Sequence, residues 1–300
     1  MDDRIRSNGM YNFRKNRPLY LMLLPFMTIF FVFTVLPVAM AIFTSFTQYD
    51  VLQAPRFVGF ENFRRLLLED ALFIQSLRNT FELAILIGPI GFILSFLMAW
   101  LINELPPRAR AVLTVIFFTP SMSGAAIAIF GVLFSSDPFG WANAWLISIR
   151  AIEEPILFFA DPDWMVPLSV VANVWMALGL GFLSFVAGLQ TVDKAQYEAG
   201  QIDGISNRWQ ELWFITLPNM RPQLLFGSVM TITGSLSIST AALTGFPSPQ
   251  YRTHTIVDHL QDFGSVRMEM GYASAIALIL LFIMLGCNKL FQKFLRRVGT

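Results

Sequence analysis

The chain has 300 residues, of which 55% are hydrophobic and only 14% are charged. A soluble domain has about 25% charged residues, so this composition excludes an ordinary soluble protein and indicates a polytopic α-helical membrane protein. The net charge of +1 gives no sign of a nucleic-acid partner, and we expect none. The single cysteine, Cys287, excludes an intrachain disulfide and a cysteine-based metal site.

Six apolar blocks have about the length, roughly 20 residues, that crosses a hydrocarbon core. They predict transmembrane helices over 19–46, 76–103, 111–134, 166–189, 223–244 and 272–290. The first block is too long for the apolar region of a signal peptide, so we expect it to remain in place. The division that follows is a basic tail (1–18), a first helix (19–46), an extracytoplasmic segment (47–75), a permease-like core (76–290) that contains a polar loop (192–222), and a second basic tail (291–300).

Lys and Arg are concentrated in the two tails, in the connection between the second and third blocks, and in the loop 192–222. Cytoplasmic loops carry an excess of these residues, so both termini and this loop are predicted to be cytoplasmic. No G-x-x-x-x-G-K-[ST] motif occurs in the sequence, so we expect no P-loop ATP site in this chain.

The loop 192–222 is too polar to cross a bilayer but has a helical pattern. Residues 192–203 predict a short helix that ends at Gly204 in a left-handed conformation. Ser206 or Asn207 can cap a second helix, with Gln210 at the capping-box spacing from Asn207. The apolar face of the second helix is predicted to contain Trp209, Leu212, Trp213 and Ile215, with Pro218 at its end. The pattern alone is equally typical of an interfacial connection that only anchors two spans.

A motif in this loop resembles a known family. The string Glu198-Ala199-Gly200-x-x-Asp203-Gly204, followed by Ile215-x-Leu217-Pro218, resembles the EAA loop in permease subunits of binding-protein-dependent ABC importers. Gly200 departs from the family's alanine, and we expect it to loosen the first short helix slightly. The resemblance implies six transmembrane helices in the type I (MetI-like) fold.

The same resemblance implies that the loop docks on a separate ATPase subunit, where Glu198 meets a basic residue and Gly204 allows the turn. ATP and magnesium would then be bound by that subunit, so this chain is expected to bind no cofactor and to be a transport subunit, not an enzyme.

Further motifs resemble the sugar-type permeases of this superfamily. They are Phe57-Val58-Gly59-Phe60-Glu61-Asn62-Phe63, Asn79-Thr80, Asp137-x-x-Gly140-x-x-Asn143 and Gly271-Tyr272-Ala273, whereas Gly245-Phe246-Pro247 departs from the family pattern. This resemblance implies uptake of a sugar or oligosaccharide across a bacterial plasma membrane. The implied partners are ATPase subunits, a second homologous permease, an extracytoplasmic solute-binding protein and membrane lipid.

Polar residues inside two spans are candidates for the substrate path. Ser228, Thr231, Ser235 and Ser239 share one helical face of the fifth span, and Asn173 and Trp175 lie in the fourth. Small polar residues also allow helices to pack closely, and a buried amide also bonds to neighbouring helices. Asn173 and Trp175 do not share a face, so we expect only Asn173 to face the path.

Three other functions are alternatives to a sugar importer. An ABC permease for another solute, such as a phosphorylated polyol or a peptide, has the same motif. A secondary transporter would need ionisable groups deep in the membrane, and the only candidate is Glu82, for which the sequence suggests no partner. An intramembrane enzyme is disfavoured, because no H-E-x-x-H motif occurs and His254 and His259 are predicted to be solvated in an outer loop.

Overall fold

The computed structural model describes residues 16–123 and 125–297. Residues 1–15 and 298–300 of the predicted basic tails, and Gly124 of the predicted third span, lie outside the described residues. The helices of the first half are α1 (Arg17–Ser45), α2 (Glu61–Arg64), α3 (Ala71–Asn103), α4 (Pro107–Met122), α5 (Ala125–Leu133), α6 (Trp141–Ser148) and α7 (Pro162–Met176). Those of the second half are α8 (Leu180–Thr191), α9 (Lys194–Ile202), α10 (Arg208–Glu211), α11 (Leu217–Asn219), α12 (Arg221–Leu236), α13 (Ala241–Thr244), α14 (Ile256–Gln261) and α15 (Met270–Arg297).

Single π-helical turns continue several of these helices. They lie at Phe31–Val35 inside α1, at Arg65–Glu69 after α2, at Leu212–Thr216 between α10 and α11, and at Asp262–Val266 after α14. A 3₁₀ turn is formed by Pro249–Tyr251, and two short strands, Thr47–Gln48 and Arg56–Phe57, pair antiparallel.

Helix α3 is the centre of the fold and contacts α7, α8 and α12, while α15 packs against both α12 and α1. The core between α3 and α8 is aromatic: the Phe185 ring lies edge-on to Phe92 and Phe96, with centroids 5.4 and 5.6 Å apart. Gly227 of α12 lies directly under the Phe185 ring, which leaves no room for a Cβ atom there. Glycine therefore allows α12 to approach α8 closely, as small residues do between membrane helices.

The six predicted spans are not six unbroken helices. In the described part of the chain, three helices (α1, α3 and α15) are long and apolar enough to cross a membrane, and two bent pairs, α4 with α5 and α7 with α8, would raise the number to five. The predicted span 166–189 is interrupted at residues 177–179, where the chain bends by 43°. Ser95 Oγ of α3 donates a hydrogen bond to the Ala177 carbonyl at 3.4 Å, which partly satisfies the broken helix.

The predicted span 223–244 is also shorter than expected. Helix α12 has 16 residues and ends at Leu236. The backbone N–H of Thr240 and that of Ala241 donate to Asp258, at 3.2 and 3.3 Å, instead of to helical carbonyls. The segment beyond Leu236 therefore leaves the helix because a carboxylate from a later element binds its backbone.

The first loop is fixed to the start of α15. Asn62 Nδ2 donates to the carbonyls of Ser45 and Thr47, both at 2.9 Å. The backbone N–H of Gly271 donates to the Tyr49 carbonyl at 3.0 Å, and a Cβ atom on Gly271 would overlap the Thr47 carbonyl oxygen. Two of the motifs noted in the sequence, one around Asn62 and one around Gly271, thus meet in one contact.

Candidate coupling loop and substrate path

Residues 193–219 form a helical hairpin, called here the polar hairpin, as its sequence pattern predicts. Asp193 caps α9 by accepting from the Ala195 N–H at 3.0 Å. After α9 the chain turns at Gly204, whose φ of +93° lies in a region that side-chain-bearing residues rarely adopt. Asn207 Oδ1 then caps α10 by accepting from the Gln210 N–H at 2.8 Å. The returning Gln210 side chain binds the N–H of Ser206 at 2.9 Å, one residue earlier than a capping box centred on Asn207 would require.

Side-chain contacts join the two arms of the polar hairpin. Tyr197 Oη lies 2.9 Å from Thr216 Oγ1, and Asn219 Nδ2 donates to Gln196 Oε1 at 2.6 Å. Gly200 is buried, and a Cβ atom there would lie 2.6 Å from Ile215 Cδ1. The glycine lets the two arms pack against each other, and the expected loosening of α9 stays a prediction.

The polar hairpin exposes one set of the motif residues and buries another. Glu198, Ala199, Asp203, Gly204 and Pro218 are exposed, Leu217 is half-buried, and Gly200 and Ile215 are buried.

The prediction of one apolar face is wrong in part. Leu212 and Ile215 are buried, but Trp209 and Trp213 are 60% and 65% exposed. The π-turn Leu212–Thr216 changes the helical period after α10, so Trp213 and Ile215 do not keep the α-helical spacing to Trp209. The helix ends at Asn219, one residue beyond Pro218.

The polar hairpin is attached to the Glu104 end of α3. Arg208 donates to Glu104 at 2.6 Å and to Glu211 at 2.8 Å, and the Trp100 and Trp209 rings lie 5.5 Å apart. A polar cavity of about 570 Å³ lies at this junction and is lined by Glu198 as well as by Arg208. These contacts join the polar hairpin to the end of α3.

Two cavities flank α12. The small cavity, about 280 Å³, is lined by Asn173, Met176, Thr231, Ser235 and Ile238 among others. The large cavity, about 650 Å³, is mostly apolar; Ser228, Thr231 and Ser235 line it together with α3 and the end of α15. Trp175 lines neither cavity and packs against the Phe130 ring at 5.4 Å.

The hydroxyl groups of α12 donate to carbonyls of their own helix. Ser228 donates to Leu225, Thr231 to Gly227 and Ser235 to Ile232, at 2.7, 2.8 and 3.1 Å. Asn173 Nδ2 likewise donates to the Ser169 carbonyl at 2.8 Å. Since their donors are used within the helix, these groups present mainly oxygen acceptors to the cavities.

Ser239 does not share the face of the other three hydroxyls, because it lies beyond the end of α12. Its hydroxyl donates to Asp258 Oδ1 at 2.6 Å. Asp258 is 1% exposed and also accepts from the backbone N–H groups of Thr240 and Thr255. Ser239 therefore helps to hold the end of α12, and no sequence pattern pointed to Asp258, 19 residues later, as its partner.

His254 and His259 are buried, not solvated as predicted. They are 2% and 1% exposed, and His254 Nε2 lies 3.2 Å from His259 Nδ1. His259 Nε2 in turn lies 3.1 Å from Asp70 Oδ2, which also accepts from the Tyr272 hydroxyl at 2.7 Å. These contacts withdraw both rings from solvent because Asp70, at the start of α3, supplies the acceptor.

Burial and neighbouring groups shift two pKa values in this region. Burial, reinforced by the neighbouring His259, lowers the pKa of His254. Burial acts to raise the pKa of Asp70, but hydrogen bonds from His259, Tyr272 and the Phe73 N–H outweigh it and hold that pKa well below its usual range. Among residues 16–123 and 125–297, no group of three His, Cys, Asp or Glu side chains is placed to hold a metal ion.

Glu82 has a partner, contrary to the expectation from sequence. Both of its carboxylate oxygens accept from the Arg252 guanidinium at 2.8 Å. An ion-coupling carboxylate deep in a membrane would need to release its charge, whereas this bidentate pair fixes it. The geometry gives no support to Glu82 as a coupling site of a secondary transporter.

The chain is similar to known transport proteins over nearly its whole length, although no protein-family model matches it. It is 30% identical to the probable ABC transporter permease protein YesP of Bacillus subtilis over 290 residues, which cover 92% of each chain. It is also 30% identical to the arabinooligosaccharides transport system permease protein AraP of Halalkalibacterium halodurans, over 91% of this chain and 85% of that one.

Two crystal structures have a similar fold. One is a bacterial ABC transporter involved in the import of the acidic polysaccharide alginate, with a TM-score of 0.80, 24% identity and coverage of 98% of this chain and 100% of that one. The other is a bacterial alginate ABC transporter in complex with alginate pentasaccharide-bound periplasmic protein, with a TM-score of 0.77, 26% identity and coverage of 97% and 98%. The chain is thus a transport subunit and belongs to the ABC transporter permease family.

Proposed function

We propose that this chain forms one half of the pathway of an ATP-driven importer for a sugar or oligosaccharide. The observation that carries the proposal is the polar hairpin, a cross-braced element that exposes Glu198 and is joined to α3 through Arg208. The name of the AraP relative and the alginate transporters of similar fold support a carbohydrate as cargo. Asn173, Thr231 and Ser235 give the small cavity, which is otherwise lined by apolar residues, polar groups that a hydroxyl-rich solute can contact.

The polar hairpin is the proposed docking element for a separate ATPase subunit. Glu198, Ala199, Asp203 and Gly204 are at its exposed surface, Gly200 lies where the first arm meets Ile215, and Leu217 and Pro218 follow in the second arm. A charge-assisted contact between Glu198 and a basic residue of the ATPase would fix the register of docking. A hairpin whose two arms are joined by side-chain contacts transmits a rotation of the ATPase better than a loose loop would.

The membrane topology we propose has six spans and both termini in the cytoplasm. Helices α1, α3 and α15 supply three spans, and the bent pairs α4–α5 and α7–α8 supply two. Helix α12 with the segment up to α13 is the sixth, completed by the non-helical residues 237–240, where Asp258 binds the backbone N–H of Thr240. The distribution of Lys and Arg supports a cytoplasmic position for the polar hairpin, in a bacterial cell.

The proposed path runs beside α12. Asn173, Thr231 and Ser235 line the small cavity, and Ser228 lines the large one. Trp175 is assigned to packing and Ser239 to the end of α12. A second, different permease supplies the other half of the path, and an extracytoplasmic binding protein delivers the solute.

A charge reversal tests the proposal. Glu198→Lys is expected to abolish uptake and the coupling of ATP hydrolysis to transport, while the protein still inserts into the membrane. Glu153→Lys, at an exposed acid on the side predicted to be extracytoplasmic, is the matched control and should transport normally. Normal uptake by Glu198→Lys would contradict the proposed role of the polar hairpin in docking. The cargo is identified separately, as the sugar that raises the melting temperature of the cognate binding protein.

A further inference from the structure

One face of the first third of α3 binds a single loop, residues 248–258. Gln75, Asn79 and Glu82 lie four and three residues apart, so they project from one side of the helix. Gln75 Nε2 donates to the carbonyls of Gln250 and Tyr251 at 3.1 and 3.2 Å. Asn79 Nδ2 donates to the Tyr251 and His254 carbonyls at 2.8 and 3.0 Å. The loop is therefore bound by its backbone along the helix.

The ion pair of Glu82 with Arg252 adds a charged contact to these hydrogen bonds. It is bidentate, with both distances 2.8 Å, and the two side chains are 34% and 38% exposed. The neighbouring residues Gln250 and Tyr251 have φ values of +53° and +54°, which non-glycine residues adopt at an energetic cost. The contacts to α3 offset that cost, so the loop has one conformation when it is bound to α3.

The same loop holds the end of α12. Thr240 Oγ1 donates to the Thr253 carbonyl at 2.6 Å, and Thr255 Oγ1 donates to the Ile238 carbonyl at 2.8 Å. Ile238 lines the small cavity, in which the substrate path is proposed. The loop 248–258 therefore links α3 to the chain at one end of that cavity.

At its other end α3 contacts the polar hairpin through Glu104 and Trp100. A single 33-residue helix thus carries the polar hairpin at one end and the loop 248–258 near the other. Pro89 lies inside α3, but the helix is continuous from Ala71 to Asn103. Displacement of the polar hairpin is therefore passed along α3 to the loop, provided that the loop stays bound to α3.

We propose that Arg252 is a positioning residue for transport, which pairs with Glu82 so that α3 moves the loop 248–258 and with it the chain that borders the small cavity. This inference rests on the proposed function, since it needs the polar hairpin to be driven by an ATPase. Arg252 contacts no solute in this account and acts only through the loop.

The test uses the complete transporter in proteoliposomes with its binding protein. Arg252→Glu places like charges against Glu82 and is expected to lower uptake about tenfold. Basal ATP hydrolysis should remain, but its stimulation by loaded binding protein should be lost. The double variant Glu82→Arg with Arg252→Glu restores the pair and should regain a large part of both activities. Restoration is partial, because Arg78 and Asp163 also interact with the original charges.

A matched control is Arg64→Glu, which breaks an exposed ion pair with Glu61 that does not involve the loop 248–258. It should transport normally. If Arg252→Glu does not assemble, Arg252→Lys is measured instead; it keeps the charge but loses the bidentate geometry, and reduced stimulation with normal assembly is expected.

The inference is overturned if Arg252→Glu, or Arg252→Lys where that variant replaces it, shows normal uptake and normal stimulation of ATP hydrolysis. It is also overturned if the charge swap restores neither activity. A different result would contradict the proposed function, namely normal transport by Glu198→Lys in the same assay. A normal Arg252 variant beside an inactive Glu198→Lys therefore rejects only the role of Arg252.

Discussion

A Cβ atom on Gly200 would lie 2.6 Å from Ile215 Cδ1, so the two arms of the polar hairpin meet at a glycine. The nearest atom is the flexible end of a side chain, and Gly200→Ala is therefore expected to retain nearly normal uptake. Gly200→Leu should lower uptake about tenfold, because the larger side chain separates the arms. Transport in proteoliposomes and co-purification of the ATPase are the measurements.

A second-site variant distinguishes packing from other causes. Ile215→Ala makes room at the same contact, so the double variant with Gly200→Leu should recover ATPase binding relative to Gly200→Leu alone. Equal loss in the single and double variants would show that the contact between Gly200 and Ile215 does not set the shape of the polar hairpin.

The polar hairpin could be predicted from sequence because its signals are local. Gly204 stands where a left-handed residue is needed, and Asn207 is bonded to a residue three positions later. The burial of His259 could not be predicted, because its partner Asp70 is 189 residues away. Hydropathy also missed the end of α12, because the backbone of Thr240 is bound by Asp258, 18 residues further along the chain.

The close approach of α12 to α8 predicts a steric effect at Gly227. Gly227→Ala places a methyl group against the Phe185 ring, so we expect the free energy of unfolding to fall by about 1–3 kcal/mol. Gly234→Ala is the control on the same helix. A Cβ atom there meets nothing within 4 Å, and the gain in helix propensity makes the variant neutral or more stable by roughly 0.5–1 kcal/mol.

The measurement for this pair is the melting temperature in detergent. Phe185→Leu combined with Gly227→Ala should recover part of the lost stability, since the smaller side chain leaves space for the methyl group. Equal melting temperatures for Gly227→Ala and Gly234→Ala would contradict the packing explanation.

Burial of His254 predicts a pH-dependent stability. Its pKa is lowered by burial and then by His259, while Asp258, Asp262 and Asp70 act in the opposite direction. The unfolded chain therefore takes up this proton first, at a pKa of about 6.5, and stability falls as the pH drops below that value. The loss stops once the pH is below the folded pKa, where both states are protonated.

His254→Gln removes this titration, so its melting temperature should decrease less than that of the native protein between about pH 7 and pH 5.5. The lowered pKa of Asp70 contributes stability that is complete above its unfolded pKa, about 3.9, and is lost only as the pH falls below that value. The effect of Asp70 therefore lies below the pH range in which His254→Gln is compared with the native protein. Identical pH profiles for the two proteins would show that His254 contributes nothing.

Asn173 lines the small cavity, whereas Trp175 packs against Phe130. Asn173→Leu replaces the amide by an apolar group of the same branched shape and should lower uptake about tenfold, because a hydroxyl-rich solute loses a polar contact. Stimulation of ATP hydrolysis by loaded binding protein should persist, since the polar hairpin is unchanged. Trp175→Phe keeps an aromatic ring and should transport normally. Uptake is measured with radiolabelled solute in proteoliposomes. Normal uptake by Asn173→Leu would show that the substrate path lies elsewhere. Loss of both uptake and stimulation would show that Asn173 acts in the conformational change and not in contact with the solute.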